Sequence, residues 1–358
     1  MADKHNILFL GASYGSLLGA KAALAGHCAH LVCLPQEAEL INAEGAIVRL
    51  PVRGLEGPVE LNTKAMPGTV SAGAPGDANP SDYDLVVLAM QEPQYRVDAV
   101  KTLLNRVGAS GKPCMSIMNM PPLSYLRRIP AIDGDAIRDC YTDASVWDNV
   151  DPSSITLCSP DPQAFRPPEE KVNVLQVGLP TNFKAARFES DDDTAILRQL
   201  EDDIRSIRYD VGGSEVELPV KLRVHDSVFV PLAKWSMLLA GNYRCVQEDG
   251  MIPIREAVHS DLDVSKAVYN RVQDLCVELG ADRNDLVPFE KYANAALSLR
   301  KPSSAARALA AGAPYIERVD KLVQALAASR NMQSDSVDRT VQLVDGWLAR
   351  NRAAECVA

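Results

Sequence analysis

The sequence predicts an α/β chain, with an N-terminal Rossmann-type doubly wound sheet and a C-terminal all-helical domain. Three observations carry this reading. The chain opens on a short apolar strand that runs directly into glycines and an apolar helix. Strand-like and helical segments then alternate, and beyond Pro219 strand signals nearly vanish. The 358 residues also exceed what one core usually holds, since single cores stop growing at about 250–300 residues. Two domains follow, placed at residues 1–222 for dinucleotide binding and 223–358 for substrate binding and dimerisation.

Asn6 to Leu10 is a continuous apolar run, as a buried parallel strand requires. Ser16 to Ala25 reads as a helix ending at Gly26, and Leu31 to Leu34 as the next strand. Asp84 to Met90 and Pro113 to Met118 are further buried strands, with a helix from about Tyr95 to Val107. Pro67 to Pro80 and Cys158 to Pro168, rich in proline and small residues, read as loops. Val172 to Val177, Lys184 to Phe188 and Tyr209 to Val216 read as strands, and Thr194 to Ile207 as a helix. After Pro219 helices are expected at Asp226–Gly241, Leu262–Leu279, Phe289–Leu299, Ser303–Ala311, Ile316–Ala328 and Ser336–Arg350.

The formal net charge is −10 and no basic run occurs, which argues against nucleic acid as a partner. A small anion held by one or two cations is compatible with that charge. The eight cysteines contain no CxxC pair and no metal-ligand spacing, so reduced, mostly buried thiols and no metal are expected. No apolar run reaches the roughly 20 residues of a membrane helix, and the N-terminus lacks a signal-peptide pattern. A cytoplasmic protein is expected.

The first turn reads Gly11-Ala12-Ser13-Tyr14-Gly15, a GxxxG rather than the usual GxGxxG. In a Rossmann unit, glycine lets main-chain amides approach a pyrophosphate at the helix N-terminus. A ligand-free tight turn is the other reading; the position straight after the first strand favours a dinucleotide bound by Gly11, Ser13, Tyr14 and Gly15. At the end of the second strand, Cys33-Leu34-Pro35-Gln36-Glu37 offers neither a clear acidic partner for a ribose 2′-hydroxyl nor an arginine for a 2′-phosphate. Glu37 either serves the ribose of NAD or, the preferred reading, begins a helix, where an acid complements the dipole.

The order of these segments resembles the ketopantoate reductase (2-dehydropantoate 2-reductase) family. Gly15-Ser16-Leu17-Leu18-Gly19-Ala20 is similar to its first helix, and Asp84 to Met90 to its strand near the nicotinamide. Ile117-Met118-Asn119-Met120 is similar to its strand-and-turn segment. Val230 to Asn242 is similar to the helix carrying its catalytic lysine, and Ser303-Ser304 with Ala311-Gly312-Ala313-Pro314 to its late Ser and Gly-x-Pro motifs. The resemblance implies reduction of an α-keto acid with NADPH, NADH being possible. It implies Lys234 as general acid, Asn119 holding the nicotinamide ribose or the substrate, and Asn242 and Ser304 lining the substrate pocket. An acidic residue is expected after Pro314; Ile316 holds that position and Glu317 follows it. Gln91 stands where the family has a lysine and is assigned to cofactor binding. Leu238 and Leu34 replace a family asparagine and arginine, and Asn119 is followed by Met120-Pro121-Pro122. These departures imply a substrate other than ketopantoate, larger or less polar.

The residues themselves support parts of this chemistry. Ketone reduction needs a proton donor, and a desolvated lysine can serve. Lys234 sits among Pro231, Leu232, Trp235, Met237 and Leu238, which fits burial but also a snorkelling surface lysine. Asn242, eight residues on, falls on a similar helix face or caps the helix end beside Gly241. Asn119 follows a buried strand and is either a ligand or a turn residue. Ser304 is read first as a helix cap. Asp226 reads as the N-cap of the Lys234 helix, His225 as a loop residue, and Asp191-Asp192-Asp193 as a solvated helix start. Two other functions stand beside the reductase. One is an opine-like dehydrogenase, for which His259 with Asp261 or Asp263 is the candidate pair; the other is a dinucleotide-binding protein without catalysis. A small-molecule substrate and a homodimer complete the expectations.

Overall fold

Strand β1 (Asn6–Leu10) is fully buried from Ile7 onward, because parallel neighbours pair on both its edges. The computed structural model describes residues 4–355. The chain gathers into two compact units, one of residues up to 90 with 94–125 and 145–228, the other of 91–93, 126–144 and residues from 229 onward.

In the first unit, helix α1 (Tyr14–Leu24) returns the chain to β2 (Cys28–Val32), and α2 (Pro35–Glu44) follows. The hairpin of β3 (Ile47–Pro51) and β4 (Pro58–Asn62) precedes β5 (Thr69–Gly73). Then come β6 (Leu85–Leu88), α3 (Asp98–Ser110), β7 (Cys114–Ile117), the single turn α4 (Leu123–Leu126) and β8 (Ile155–Ser159). The unit ends with β9 (Gln163–Phe165), β10 (Val174–Leu179), β11 (Phe183–Ala186), α5 (Asp191–Ser206), the hairpin β12 (Tyr209–Val211) and β13 (Ser214–Val216), and β14 (Leu222–His225). Eight strands form one sheet in the order β14-β11-β8-β7-β6-β1-β2-β5, parallel except where β8 meets β11. A second sheet, β4-β3-β10-β9, joins the two hairpin segments. Leu, Val, Ile, Phe and Ala side chains from both sheets, α1 and α5 fill one apolar core.

The second unit is mainly helical. A continuous helix of changing pitch runs from Pro231 to Cys245: a 3₁₀ turn, α6 (Lys234–Met237), a π turn over Leu238–Asn242 and a last 3₁₀ turn. A two-residue ladder, β15 (Val246–Gln247) with β16 (Gly250–Met251), follows it. The remaining helices are α7 (Ile254–His259), α8 (Leu262–Glu278), α9 (Phe289–Ala296), α10 (Ser304–Ala310), α11 (Val319–Ser329) and α12 (Asp335–Glu355).

Several local expectations are corrected. The segment Pro67–Pro80 holds β5, which pairs with β2 as the sheet edge; its small, half-exposed residues hide a strand that tertiary pairing imposes. Cys158–Pro168 holds the end of β8 and all of β9. The second strand ends at Val32, and Leu34 is the exposed N-cap of α2. Tyr209–Val216 is a hairpin, not a strand, because Gly212 and Gly213 take φ of +63° and +87°. The helix expected from Asp226 starts at Pro231: Asp226 is exposed and pairs with Arg198 at 2.9 Å, while His225 ends β14. Asp191-Asp192-Asp193 open α5, the helix start read from sequence; Ser190, which the sequence reading did not single out, is its N-cap. Among the described residues all seven cysteines are free, and Cys356 lies outside them.

Candidate functional site

The glycine turn sits where the order of the larger sheet reverses. From β1 the chain moves to β2 on one side, then returns to β6 on the other. Open α/β sheets bind ligands at the carboxyl ends of strands at such a switch point. Gly11 has φ +107°, and a Cβ there would lie 2.5 Å from Met90 Cγ and 2.9 Å from the Ala89 carbonyl oxygen. Main-chain bonds from Gly11 N to Val32 O and from Ala89 N to Leu10 O, both 2.8 Å, hold the turn across three strand ends. Only glycine fits that backbone and that space.

Helix α1 starts at Tyr14. Its N-cap, Ser13, makes no side-chain capping bond, and no acidic residue lies in the first turn. The positive end of the helix dipole is left to an anion, so the residues present fit a dinucleotide pyrophosphate. Gly15 has a different task. Its Cβ would meet Phe9 Cβ at 3.2 Å and Leu31 Cδ2 at 3.5 Å, so it faces the sheet and sets the spacing of helix and strand. Tyr14 turns toward the loop after β8, where its hydroxyl donates to the Pro162 carbonyl at 2.9 Å and its ring edge meets Phe183. Asn119 is half-buried two residues beyond β7, at a carboxyl strand end; Gln91 is exposed.

In the second unit Lys234 opens α6 and is half-buried, while its neighbours Trp235 and Ser236 are fully buried. The π turn that follows has a visible cause. The Tyr292 hydroxyl donates to the Met237 carbonyl at 3.0 Å, so that carbonyl is taken by a side chain inserted into the helical ladder. Gly241 makes room, since a Cβ there would lie 2.0 Å from the hydroxyl. The widened turn changes the register. Eight residues of regular helix rotate by about 800°, leaving Asn242 roughly 80° off the Lys234 face. One extra residue in the turn takes back about 100°, which aligns the two faces to within about 20°.

Other candidates gather around the same helix. Ser303 is the N-cap of α10, accepting from Ala306 N at 3.1 Å, and its hydroxyl donates to the Asn242 carbonyl at 2.7 Å. Ser304 is therefore not the cap; it is exposed in the first helical turn. The Tyr243 hydroxyl donates to the Glu317 carbonyl and accepts from Val319 N at 3.1 Å, which fixes the Glu317 loop beside Asn242. Glu317 is buried. Near it lies Glu92, which the sequence reading passed over. Glu92 is 2 % exposed, and its two carboxyl oxygens accept from Thr142 N at 3.0 Å and Thr142 Oγ1 at 2.9 Å. Burial, aided by the Glu317 charge, pushes its carboxyl up to about 7, against those hydrogen bonds. Its only sequence signal was an acid beside Gln91 after a buried strand. Tyr243 and Tyr292 had none, because their partners lie far along the chain; Ser303 was read only as part of the late Ser motif that opens its helix.

The His259–Asp pairing does not form. His259 Nε2 bonds the Ala293 carbonyl at 2.9 Å, and Asp261 caps α8 by accepting from Val264 N at 2.9 Å. Among the described residues no group of His, Cys, Asp and Glu could hold a metal, and no helix is long and apolar enough to cross a membrane.

No protein-family model matches the chain, and no curated protein matches it in sequence. Solved structures share its fold from end to end. A 2-dehydropantoate 2-reductase from Methylococcus capsulatus aligns with a TM-score of 0.66 at 12% identity, over 97% of each chain. D-Mandelate dehydrogenase, in a ternary structure with NADH and anilino(oxo)acetate, aligns with a TM-score of 0.63 at 12% identity, over 97% of this chain and 99% of that one. A ketopantoate reductase from Staphylococcus aureus, described as dimeric, aligns with a TM-score of 0.59 at 8% identity, over 97% and 99%. The ketopantoate reductase resemblance read from the sequence thus has its counterpart in the fold, at the low identity of a divergent chain.

Proposed function

We propose that this chain is an NAD(P)H-dependent reductase of a 2-keto acid or related ketone, with Lys234 as its general acid. The observation that carries the reading is the Gly11 turn: a side-chain-free crossing at the switch point, leading into an uncapped helix N-terminus. The reduced nicotinamide, when bound, supplies a hydride. In this reading Gly11, Ser13 and Tyr14 bind its pyrophosphate through the main chain, Gly15 lets α1 approach, and Gln91 and Asn119 serve the nicotinamide end. Lys234 gives a proton to the carbonyl oxygen, and Asn242, Ser304 and Glu317 bind substrate. Residues 1–222 serve the cofactor and 223–358 the substrate and a homodimer contact, in the cytoplasm. NADPH is the proposed partner over NADH.

The substrate is proposed to carry a bulkier, less polar group than ketopantoate. Leu238 is buried one turn after Lys234, and Ile316 is buried beside Glu317. Apolar side chains there leave substrate hydroxyls without partners, at about 1–3 kcal/mol for each. The solved mandelate dehydrogenase, which holds an anilino-substituted keto acid analogue, supports an aromatic or branched 2-keto acid. Oxidation of NADPH and NADH is to be followed with a panel of linear, branched, aromatic and hydroxylated 2-keto acids, with and without amines. Turnover of apolar 2-keto acids without amine dependence is expected, with ketopantoate below a kcat/KM of about 10⁴ M⁻¹s⁻¹. Cofactor binding with no turnover of any member would leave a dinucleotide-binding protein.

A further inference from the structure

The end of β2 poses a problem for the proposed cofactor. In this fold the residue after the second strand addresses the adenosine ribose, an acid taking its 2′-hydroxyl or an arginine its 2′-phosphate. Here β2 ends at Val32, and the two residues that follow, Cys33 and Leu34, carry neither an acid nor a cation; Leu34 is 74 % exposed.

A cation reaches the place from elsewhere in the chain. Arg166, directly after β9, forms an ion pair with Glu37 in the first turn of α2. Glu37 is 6 % exposed and Arg166 only partly buried. Glu37 lies three positions beyond Leu34 in the first turn of α2, which places the pair beside the end of β2. The guanidinium uses one nitrogen on Glu37; its other N–H groups have no hydrogen-bond partner among the described residues. The excursion carrying Arg166 is tied down along its length. Pro162 accepts from Tyr14 of the glycine turn at 2.9 Å, Glu170 pairs with Arg49 at 2.6 Å, and Lys171 pairs with Glu44 at 2.7 Å. One segment thus touches both the pyrophosphate turn and the start of α2.

We infer that Arg166 is the specificity-determining residue of this dinucleotide site, receiving the 2′-phosphate of NADPH in place of the missing arginine at position 34, with Glu37 holding it in position. The inference rests on the dinucleotide reading above. Glu37 faces inward and is occupied by Arg166, so it does not serve as the acceptor for the ribose hydroxyl of NADH. A guanidinium offers paired donors that match phosphate oxygens, and such charge-assisted bonds are among the strongest available.

Calorimetry on the whole chain tests this with NADPH, NADH, adenosine 2′,5′-bisphosphate and ADP. Arg166→Ala is expected to weaken NADPH and the bisphosphate by about ten- to a hundredfold, with NADH and ADP changed less than about threefold. Arg166→Lys should restore part of the loss, since the charge returns without the fork. Glu37→Gln should leave NADH binding intact. Equal weakening of NADPH and NADH by Arg166→Ala, or no weakening, overturns the assignment, as does loss of NADH binding in Glu37→Gln, which would make Glu37 a ribose acceptor. A wild-type chain that binds NADH but neither 2′-phosphorylated ligand also overturns it and leaves the dinucleotide reading standing. Binding of none of the four removes that reading itself.

Discussion

Helix α1 and the helix from Pro231 each carry one lysine in an apolar stretch, and the structure treats the two differently. Lys21, in Gly-Ala-Lys-Ala-Ala-Leu, is 1 % exposed and donates to the Pro219 carbonyl at 2.9 Å. That carbonyl precedes Val220, which holds a φ of +63° that L side chains rarely adopt. Lys21 thus ties a strained turn to the helix. Lys234, in an equally apolar stretch, is only half-buried and sits one turn before a widened segment of helix. Apolar neighbours in sequence do not report which lysine is sealed in; the packing of distant segments does. Lys21 is read as structural and Lys234 as chemical, and variants can reverse either assignment.

The largest effect is expected at Lys234. Replacement by alanine should lower kcat by about 10²–10⁴, the usual worth of a general acid, while the Kd for NADPH measured by fluorescence stays near the wild-type value. Lys234→Arg should rescue little, because guanidinium does not release a proton near neutral pH. A fully active Lys234→Ala enzyme would move the proton donor elsewhere.

Lys21 should show itself in stability. Burial, with Lys221 adding to it, lowers its pKa from 10.5 to about 7. Below about pH 7 the lysine is charged in both folded and unfolded chains, and the folded state carries the cost of burying that charge. Between about 7 and 10.5 the folded chain holds it neutral while the unfolded chain still binds the proton. Stability therefore rises with pH across that window, by up to about 1.4 kcal/mol per pH unit. Lys21→Met removes the titrating group. Urea unfolding at pH 7, 8 and 9 should show wild type gaining roughly 2 kcal/mol on the variant over the series, with unchanged kcat. Parallel pH curves for the two proteins would show that Lys21 keeps its charge in the fold.

The two helices also show what the sequence made legible. The α1 turn was readable from a local pattern, a buried strand that runs straight into glycine; why position 11 must be glycine was not, since the atoms it crosses belong to Ala89 and Met90. The strand order at its edges was less so. Strand β5 consists of small, half-exposed residues, and only pairing with β2 makes it a strand. The Lys234 helix was found as a helix, but not its π turn, whose cause is a tyrosine hydroxyl fifty-five positions away. Glu92 and Arg166 were missed for the same reason: each gains meaning from a partner far along the chain, Thr142 for one and Glu37 for the other.

The smallest effect separates the two helices most directly. Tyr292→Phe deletes the hydroxyl on the Met237 carbonyl and nothing else. The carbonyl then becomes available to the Gly241 amide, the turn closes to ordinary pitch, and Asn242 rotates away from Lys234 by about 100°. Losing one hydrogen bond should cost about 1 kcal/mol of stability. If Asn242 binds substrate, KM should rise by roughly three- to tenfold, since a neutral hydrogen bond is worth about 0.5–1.5 kcal/mol, with kcat and NADPH affinity nearly unchanged. A double-mutant cycle decides whether the effect passes through Asn242. Adding Asn242→Ala to Tyr292→Phe should then raise KM little further, because the contact is already lost. Fully additive effects would mean that Tyr292 and Asn242 act independently, and that the wide turn serves the packing around Tyr292 rather than the placement of a substrate ligand.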